Sequence, residues 1–149
     1  MSQFPLKNNP ADPLGQLTAD IIGAAIEVHR AFGPGLLESV YEMALIRELG
    51  LRGHFVRQQS KVQITYKGFT FEQTLRSDLI VNDQVLVENK AVEQMHPRFQ
   101  AQLLSYMRLL NIRAGLIFNY HEEKLINGLV RLSLDKPKTC DFLRTEVLS

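Results

Sequence analysis

Hydrophobic residues repeat with a helical period in two segments near the beginning of the chain. An amphipathic helix is predicted from about Leu17. Its apolar stripe contains Ile22, Ala25, Ile26, His29 and Phe32. The Gly-Pro-Gly segment at 33–35 predicts the end of this helix, because proline cannot continue it and glycine tolerates left-handed backbone angles. A second helix is predicted to end near Gly50, and the short connection predicts a helical hairpin. The apolar face of the second helix contains Leu37, Val40, Tyr41, Ala44, Leu45 and Leu49.

After the second helix the hydrophobic period changes to two, which is typical of strands. Val62, Ile64 and Tyr66 alternate with polar residues and predict a half-buried strand. Turn signals at Lys67-Gly68 and Asn82-Asp83 separate three strands. The predicted strands cover residues 61–67, 69–81 and 85–90.

The rest of the chain predicts one helix and two strands. Pro97 suits the first turn of a helix. The apolar face of that helix contains Phe99, Leu103, Tyr106, Met107 and Leu110. The apolar run 114–118 suits a strand inside a sheet, and 126–134 predicts the last strand. The order ααβββαββ predicts an α/β sandwich around a mixed sheet. We expect residues 1–16 to form a flexible arm and residues 17–149 a single domain.

The composition agrees with one globular domain and narrows its cellular setting. The chain has 149 residues, of which 45% are hydrophobic, and this excludes disorder along its whole length. It has no apolar run long enough to cross a membrane and no secretory signal. Its one cysteine, Cys140, excludes an internal disulfide and a cysteine-based metal site. We therefore expect a cytoplasmic protein that does not contact membranes.

The charge of the chain excludes a strongly basic nucleic-acid binder. Seventeen basic residues stand against sixteen acidic ones, which leaves a net charge of +1. A local basic groove that is balanced by acidic residues elsewhere would not be visible in this sum. Nucleic acid therefore remains a possible partner.

One group of residues carries chemistry: Asp78, Glu88 and Lys90. Residues i and i+2 of a strand point to the same face, so Glu88 and Lys90 project together. If the two strands pair as a hairpin, Asp78 lies beside them. Two carboxylates with a nearby carbonyl form an oxygen-rich site, which suits Mg²⁺ or Mn²⁺ rather than zinc. The lysine can then orient a water or neutralise charge on a phosphate.

The same spacing also occurs where there is no metal site. Taken alone, it more often indicates a surface ion pair that joins Glu88 to Lys90 or to a neighbouring strand. The apolar residues 85–87 favour the functional interpretation, because the charged end follows them directly. His29 also has two interpretations, as a residue that touches the site and as a core or capping histidine.

Several motifs together resemble a known family. Asp78 with the run 88–90, Glu-Asn-Lys, resembles the signature of the PD-(D/E)XK nucleases. The run 35–41, Gly-Leu-Leu-Glu-Ser-Val-Tyr, resembles the motif that names the GxxExxY proteins. The run 102–106, Gln-Leu-Leu-Ser-Tyr, is similar to the QxxxY motif of the exonuclease-like branch of that superfamily. Each motif alone is weak, but their order within residues 21–134 is specific. The resemblance implies a restriction-endonuclease-like fold, in which helices flank the mixed sheet.

The resemblance also implies roles by position. Asp78 and Glu88 would bind the divalent metal, Mg²⁺ or Mn²⁺, and the backbone carbonyl of Asn89 would be a further ligand. Lys90 would support the attacking water. Glu38, on the second helix, would reach the same site and hold metal-bound water.

Four further residues are expected to support the site or its substrate: His29, Tyr41, Gln102 and Tyr106. Gln102 and Tyr106 share a helix face because they are four residues apart. Tyr41 lies on the apolar face of its helix, which favours a packing role with a hydrogen-bonded hydroxyl. Asn89 departs from the family pattern, which has an apolar residue there, and strand alternation directs it away from the cleft. We predict that its amide is hydrogen-bonded or reaches solvent, with Gln102 as one candidate partner.

The function implied by the resemblance is that of a metal-dependent nuclease, a hydrolase that cuts DNA by attack of water on a phosphodiester. Two alternatives stay open: a catalytically silent nucleic-acid-binding or regulatory protein, and a protein-interaction module. The presence of Asp78, Glu88 and Lys90 favours the nuclease, because a site freed from catalysis has no chemical reason to keep all three. The near-neutral charge favours weak or partner-assisted binding to nucleic acid. A homo-oligomer and a larger assembly are both compatible with the sequence.

Overall fold

Helices cover both faces of a mixed sheet in this protein. The computed structural model describes residues 12–75 and 79–134 with their side chains, and Asp78 and the two terminal strands by their backbone. The helices are α1, Pro13–Phe32, α2, Glu38–Leu51, and α3, Pro97–Leu110. None of the described helices is long and apolar enough to cross a membrane. The predicted α/β sandwich is confirmed, while most of the predicted arm and Cys140 lie outside the described residues.

Within the described residues, nine strands form two sheets. Their bounds are β1, Ser2–Gln3; β2, Val56–Gln58; β3, Lys61–Tyr66; β4, Phe69–Thr74; β5, Asp78–Val81; β6, Val85–Lys90; β7, Ala114–Asn119; β8, Leu129–Ser133; and β9, Arg144–Leu148. The larger sheet has the order β1-β8-β7-β6-β5-β2, and the smaller sheet has the order β4-β3-β9. Strands β6 and β7 pair in parallel, and the other neighbours pair antiparallel.

The first helix begins earlier than predicted, at Pro13 instead of near Leu17. Asp12 caps it, because its carboxylate accepts a hydrogen bond from the N–H of Leu14 at 3.1 Å. Proline suits the first helical position, where its missing N–H would have no partner within the helix. The helix ends at Phe32, and the φ of the next residue, Gly33, is 67°, a value that favours glycine. The last residues of the predicted arm are therefore helical.

Alternate residues of β6 contact different helices, and this alternation positions the site. Val85 and Val87 pack in one core cluster with α1 and α2, whereas Leu86 packs in a second cluster with α3. Strand β7 alternates in the same way, with Leu116 in the first cluster and Ile117 in the second. The large sheet therefore has a separate core on each face. Glu88 and Lys90 follow Leu86 on the face covered by α3.

The predicted strand over 69–81 and the predicted apolar face of the second helix were both too wide. The segment 69–81 is not one strand: its first part is β4 of the small sheet and its last part is β5 of the large sheet. Both parts have a strand-like pattern, so periodicity cannot show that the chain changes partners between them. Helix α2 contacts the sheet through a narrower stripe than predicted, and Leu37 and Val40 are exposed. The buried residues of α2 are Tyr41, Leu45 and Leu49.

The last strand of the large sheet is shorter than predicted. A short 3-10 helix, Leu125–Gly128, occupies the beginning of the predicted segment 126–134, and β8 begins at Leu129. Leu125 is buried in the core under α1 and α2. An apolar residue can point inward from either conformation, so the hydrophobic pattern does not separate the two.

Candidate active site

The hairpin of β5 and β6 brings two predicted metal ligands opposite each other. Residues 82–84 connect Val81 to Val85, which are opposite in register. Asn82 and Asp83 have positive φ, 51° and 56°, which asparagine and aspartate tolerate better than most residues. The register places Asp78 directly opposite Glu88. The carbonyl of Lys90 accepts a hydrogen bond from the N–H of Tyr120 at 2.8 Å, so the backbone groups of Lys90 and Glu88 point toward β7. Asp78 and Glu88 are therefore a non-hydrogen-bonded pair, in which the Cα atoms come to about 4.5 Å.

Glu88 and Lys90 form a buried ion pair on the face covered by α3. Their side chains are 3% and 15% exposed, and Lys90 Nζ lies 3.0 Å from Glu88 Oε1. Lys90 Nζ also lies 4.5 Å from the centre of the Phe99 ring, in the first turn of α3, and an aromatic face attracts a cation. This is not the surface ion pair that the spacing alone favours. A buried carboxylate needs a compensating cation, and Lys90 supplies one.

Glu38 reaches the end of β6 from the other side of the sheet. It is the first residue of α2, which packs in the core shared with α1, whereas Glu88 lies on the face of α3. Glu38 Oε1 accepts a hydrogen bond from the backbone N–H of Ala91 at 3.2 Å, one residue beyond Lys90. Burial, and then the negative charge of Glu38, raises the pKa of Glu42 one turn along the helix. A role for Glu38 in holding metal-bound water stays a prediction.

Asn89 points away from Glu88 and is hydrogen-bonded, as predicted. It is 3% exposed, and its Oδ1 accepts a hydrogen bond from the Tyr120 hydroxyl at 3.1 Å. Among the described residues, its Nδ2 has no hydrogen-bond partner. Gln102 is not the partner, because α3 packs on the other face of the sheet. Burial raises the pKa of Tyr120, and the electrostatic interaction with Tyr41 raises it further. The Tyr120 hydroxyl therefore stays protonated and donates at neutral pH.

Tyr41 and His29 lie in the core under α1 and α2. Tyr41 is fully buried, and its hydroxyl donates to the carbonyl of Gly33 at 2.6 Å and accepts from the N–H of Leu36 at 3.1 Å. The hydroxyl therefore holds the Gly-Pro-Gly turn, which is the predicted packing role. His29 is also buried, and its Nε2 donates to the carbonyl of Glu122 at 2.7 Å. This contact favours the core interpretation of His29 over direct contact with the site.

Gln102 and Tyr106 follow Phe99 along α3 at helical spacing. Gln102 is exposed, and Tyr106 is half-buried against the core under α3. Because Phe99 lies under Lys90, Gln102 is one helical turn away from the ion pair. A role for Gln102 and Tyr106 toward the substrate stays a prediction.

Asn119, which sequence reasoning missed, fixes the chain that follows β6. It lies opposite Lys90 in register and is buried. Its Oδ1 accepts a hydrogen bond from the N–H of Val92 at 3.0 Å, and its Nδ2 donates to the carbonyl of the same residue at 2.9 Å. The sequence did carry a signal for Asn119, because the polar pair Asn119-Tyr120 directly follows the apolar run 114–118. The carboxyl ends of parallel strands meet at one edge of a sheet, so polar residues at such an end are candidates for a site.

The donors at this edge fit a divalent metal that prefers oxygen. The carbonyl of Lys90 points toward β7, so strand alternation directs the carbonyl of Asn89 toward β5, on the side of Asp78. Carboxylate and carbonyl oxygens are the ligands that Mg²⁺ and Mn²⁺ prefer. Among the side chains that the structure describes, no three potential ligands lie close enough to hold a metal. The contribution of the Asp78 carboxylate beside that of Glu88 stays a prediction.

Comparison with protein families agrees with this geometry. The family model of the PD-(D/E)XK nuclease superfamily matches residues 15–132. The chain belongs to this superfamily. The matched range contains the helical hairpin, the β5–β6 pair and α3. Members of the PD-(D/E)XK superfamily are usually nucleases, which act on nucleic acid and generally use divalent metals. No curated protein and no solved structure matches the chain.

Proposed function

We propose that this PD-(D/E)XK protein is a nuclease that hydrolyses phosphodiester bonds in DNA with Mg²⁺ or Mn²⁺. The observation that supports this proposal is the buried ion pair of Glu88 and Lys90 at the end of β6, opposite Asp78 in register. A buried ion pair is often no more stabilising than apolar residues of similar volume, so packing alone does not explain it. Hydrolysis of a phosphate ester gives all three residues a role.

Asp78 and Glu88 are the proposed metal ligands, together with the backbone carbonyl of Asn89. A divalent metal held by these oxygens would lower the pKa of a water and polarise the scissile phosphate. Glu88 is already withdrawn from solvent. Its charge is therefore weakly screened and interacts strongly with a cation.

Lys90 has a separate role, toward the attacking water and the phosphate. An ammonium group carries three N–H donors, and Lys90 directs one of them to Glu88 at 3.0 Å. The other donors can orient a water or stabilise negative charge that develops on the phosphate. The Phe99 ring beneath Nζ limits the directions in which the ammonium can move.

The remaining site residues act around this centre. Glu38 would orient water at the bound metal, and its position depends on Tyr41, which secures the turn before α2. Gln102 and Tyr106 position the substrate strand along α3. His29 acts indirectly, because it anchors the loop after β7. A single cysteine supports a reducing, cytoplasmic setting, and the run 35–41 supports a place among the GxxExxY proteins.

The test is cleavage of end-labelled single-stranded and double-stranded DNA and RNA by the full chain in Mg²⁺, Mn²⁺ or EDTA. We expect DNA to be cut only when a metal is present. Glu88→Gln and Lys90→Ala should each lower the cleavage rate by about 100-fold or more. Far-UV circular dichroism must show that each variant is folded, because loss of one partner of a buried ion pair destabilises by about 3–5 kcal/mol.

Glu123→Gln and Lys124→Ala are the matched controls, since they make the same chemical changes at exposed positions. We expect both controls to cut DNA at the wild-type rate. Wild-type cleavage by both site variants would refute the proposal. DNA binding without cleavage under every metal condition would identify a catalytically silent nucleic-acid-binding protein instead.

A further inference from the structure

An exposed aromatic surface lies on the hairpin of β3 and β4. Tyr66, Phe69 and Phe71 are 53%, 67% and 41% exposed. Phe69 and Phe71 alternate onto one face of β4, with ring centroids 5.8 Å apart. Phe69 is also directly opposite Tyr66 in register. The three rings therefore form one surface, which we call the aromatic face.

The aromatic face continues a surface that is buried at the base of the hairpin. Ile64 lies opposite Phe71 in register and packs partly against the core under α3. Val62, the next residue on the same face, is fully buried in that core. The N–H of Leu75 donates to the carbonyl of Ser60 at 2.9 Å and closes the base. The hairpin thus packs at its base, while its aromatic end extends beyond the core.

The base of the hairpin lies close to the proposed site. Leu75 and Leu86 belong to the same core cluster, and Leu86 is two residues before Glu88 on the same face of β6. Strand β5 begins at Asp78, three residues after Leu75. From Leu75 to Phe71 the strand extends about 13 Å, at about 3.3 Å per residue. A strand of a few nucleotides can therefore reach from Glu88 to the aromatic face.

The charges on and beside the hairpin favour a polyanion. Its one carboxylate, Glu72, alternates with the aromatic residues of β4 and so projects to the other face. Lys67 Nζ lies 5.4 Å from the centre of the Tyr66 ring. At the start of α3, Arg98 Cζ lies 5.4 Å from the centre of the Phe99 ring. Cations therefore lie beside aromatic rings at the tip of the hairpin and at the start of α3.

We infer that the aromatic face is a stacking platform for the unpaired bases of a nucleic-acid strand. The inference rests on the proposed nuclease function, with a phosphate of the same strand at Glu88 and Lys90. Aromatic rings beside cations bind single strands because every base offers a π-face. Bases inside a duplex stack on one another and cannot offer theirs. The platform therefore selects single-stranded DNA or a frayed end over a blunt duplex.

The chain contains no tryptophan, so one introduced tryptophan reports stacking directly. Phe69→Trp places the fluorophore in the aromatic face, and EDTA prevents metal-dependent cleavage during the titration. We expect an oligothymidylate of about 12 nucleotides to quench this fluorescence saturably. An abasic strand of the same length, which keeps the phosphates and lacks the bases, should quench weakly, and so should a blunt duplex. Phe55→Trp is the matched control, because Phe55 is also exposed and lies 5.5 Å from a cation, Arg57 Cζ.

The second measurement removes the rings. Phe69→Ala/Phe71→Ala should raise the Kd for oligothymidylate about tenfold or more and leave the affinity for the abasic strand unchanged. Phe55→Ala should change neither affinity. An unchanged Kd for oligothymidylate, or equal quenching by the abasic strand, would overturn the proposal. Sedimentation provides a further check: if the double variant turns a dimer into a monomer without changing the Kd, the face joins two copies and the proposal is wrong. Quenching by oligothymidylate without cleavage in any metal would support the platform and overturn the nuclease proposal.

Discussion

Removal of the Tyr120 hydroxyl tests how the strand that carries the site is held. Tyr120→Phe deletes the hydrogen bond to Asn89 Oδ1, 3.1 Å long, at a place where both side chains are buried. Asn89 Nδ2 already has no partner in the described part of the chain, so the variant leaves a whole carboxamide unpaired. A buried polar group in this state costs about 1–3 kcal/mol. For a chain of this size we expect a fall in Tm of roughly 2–4 °C per kcal/mol.

Asn89→Leu perturbs the other end of the same hydrogen bond. It removes the unpaired Nδ2 and leaves the Tyr120 hydroxyl without its partner, so we expect a loss of stability or at best no change. The double variant Asn89→Leu/Tyr120→Phe leaves neither group unpaired and should be more stable than Tyr120→Phe alone. The coupling free energy in this cycle should be about 1–3 kcal/mol.

Urea unfolding of the wild type and the three variants measures this cycle. Tyr106→Phe is the control for loss of a tyrosine hydroxyl, because Tyr106 lies on α3 and packs against the other core. Additive single effects, with a coupling below about 0.5 kcal/mol, would refute the reasoning. A clear rise in stability for Asn89→Leu, with DNA cleavage unchanged, would show that the unpaired Nδ2 outweighs the bond to Tyr120.

Two further predictions concern the pH dependence of folding and the loop after β7. Burial alone would raise the pKa of Asp20, but hydrogen bonds from His54 and Arg52 outweigh it and lower this pKa from 3.8. The carboxylate therefore stabilises the folded state above about pH 4, and this contribution is lost as the pH falls through the lowered pKa. Asp20→Asn should lower the free energy of unfolding near pH 7, and its difference from the wild type should be smaller at about pH 3. Equal differences in the free energy of unfolding at the two pH values would contradict this prediction. Gly128→Ala would place a Cβ 2.5 Å from the backbone carbonyl oxygen of Asn119. Thermal unfolding should therefore show a loss of about 1–3 kcal/mol in the free energy of unfolding. An unchanged Tm would contradict the predicted clash.

Most of the local structure was determined by single residues and by their close neighbours in the sequence. Helix α3 begins at Pro97 as predicted, because proline has no N–H to lose at that position. Asn82-Asp83 forms the predicted turn, since a turn of this kind depends on the two residues that adopt positive φ. Glu88 and Lys90 project together because they are two residues apart on a strand. Each of these features depends on a short stretch of backbone, so the sequence by itself was sufficient.

Only the tertiary structure decided which partners these elements have. Glu38 contacts the backbone of Ala91, 53 residues away, and Asn89 bonds to Tyr120, 31 residues away. The segment 69–81 divides between two sheets, although its pattern is strand-like throughout. Periodicity shows how a segment can be half-buried, but the free energy of burial depends on the surfaces that other segments present. Long-range contacts of this kind place Glu38 beside the end of β6 and leave the aromatic face of the hairpin exposed.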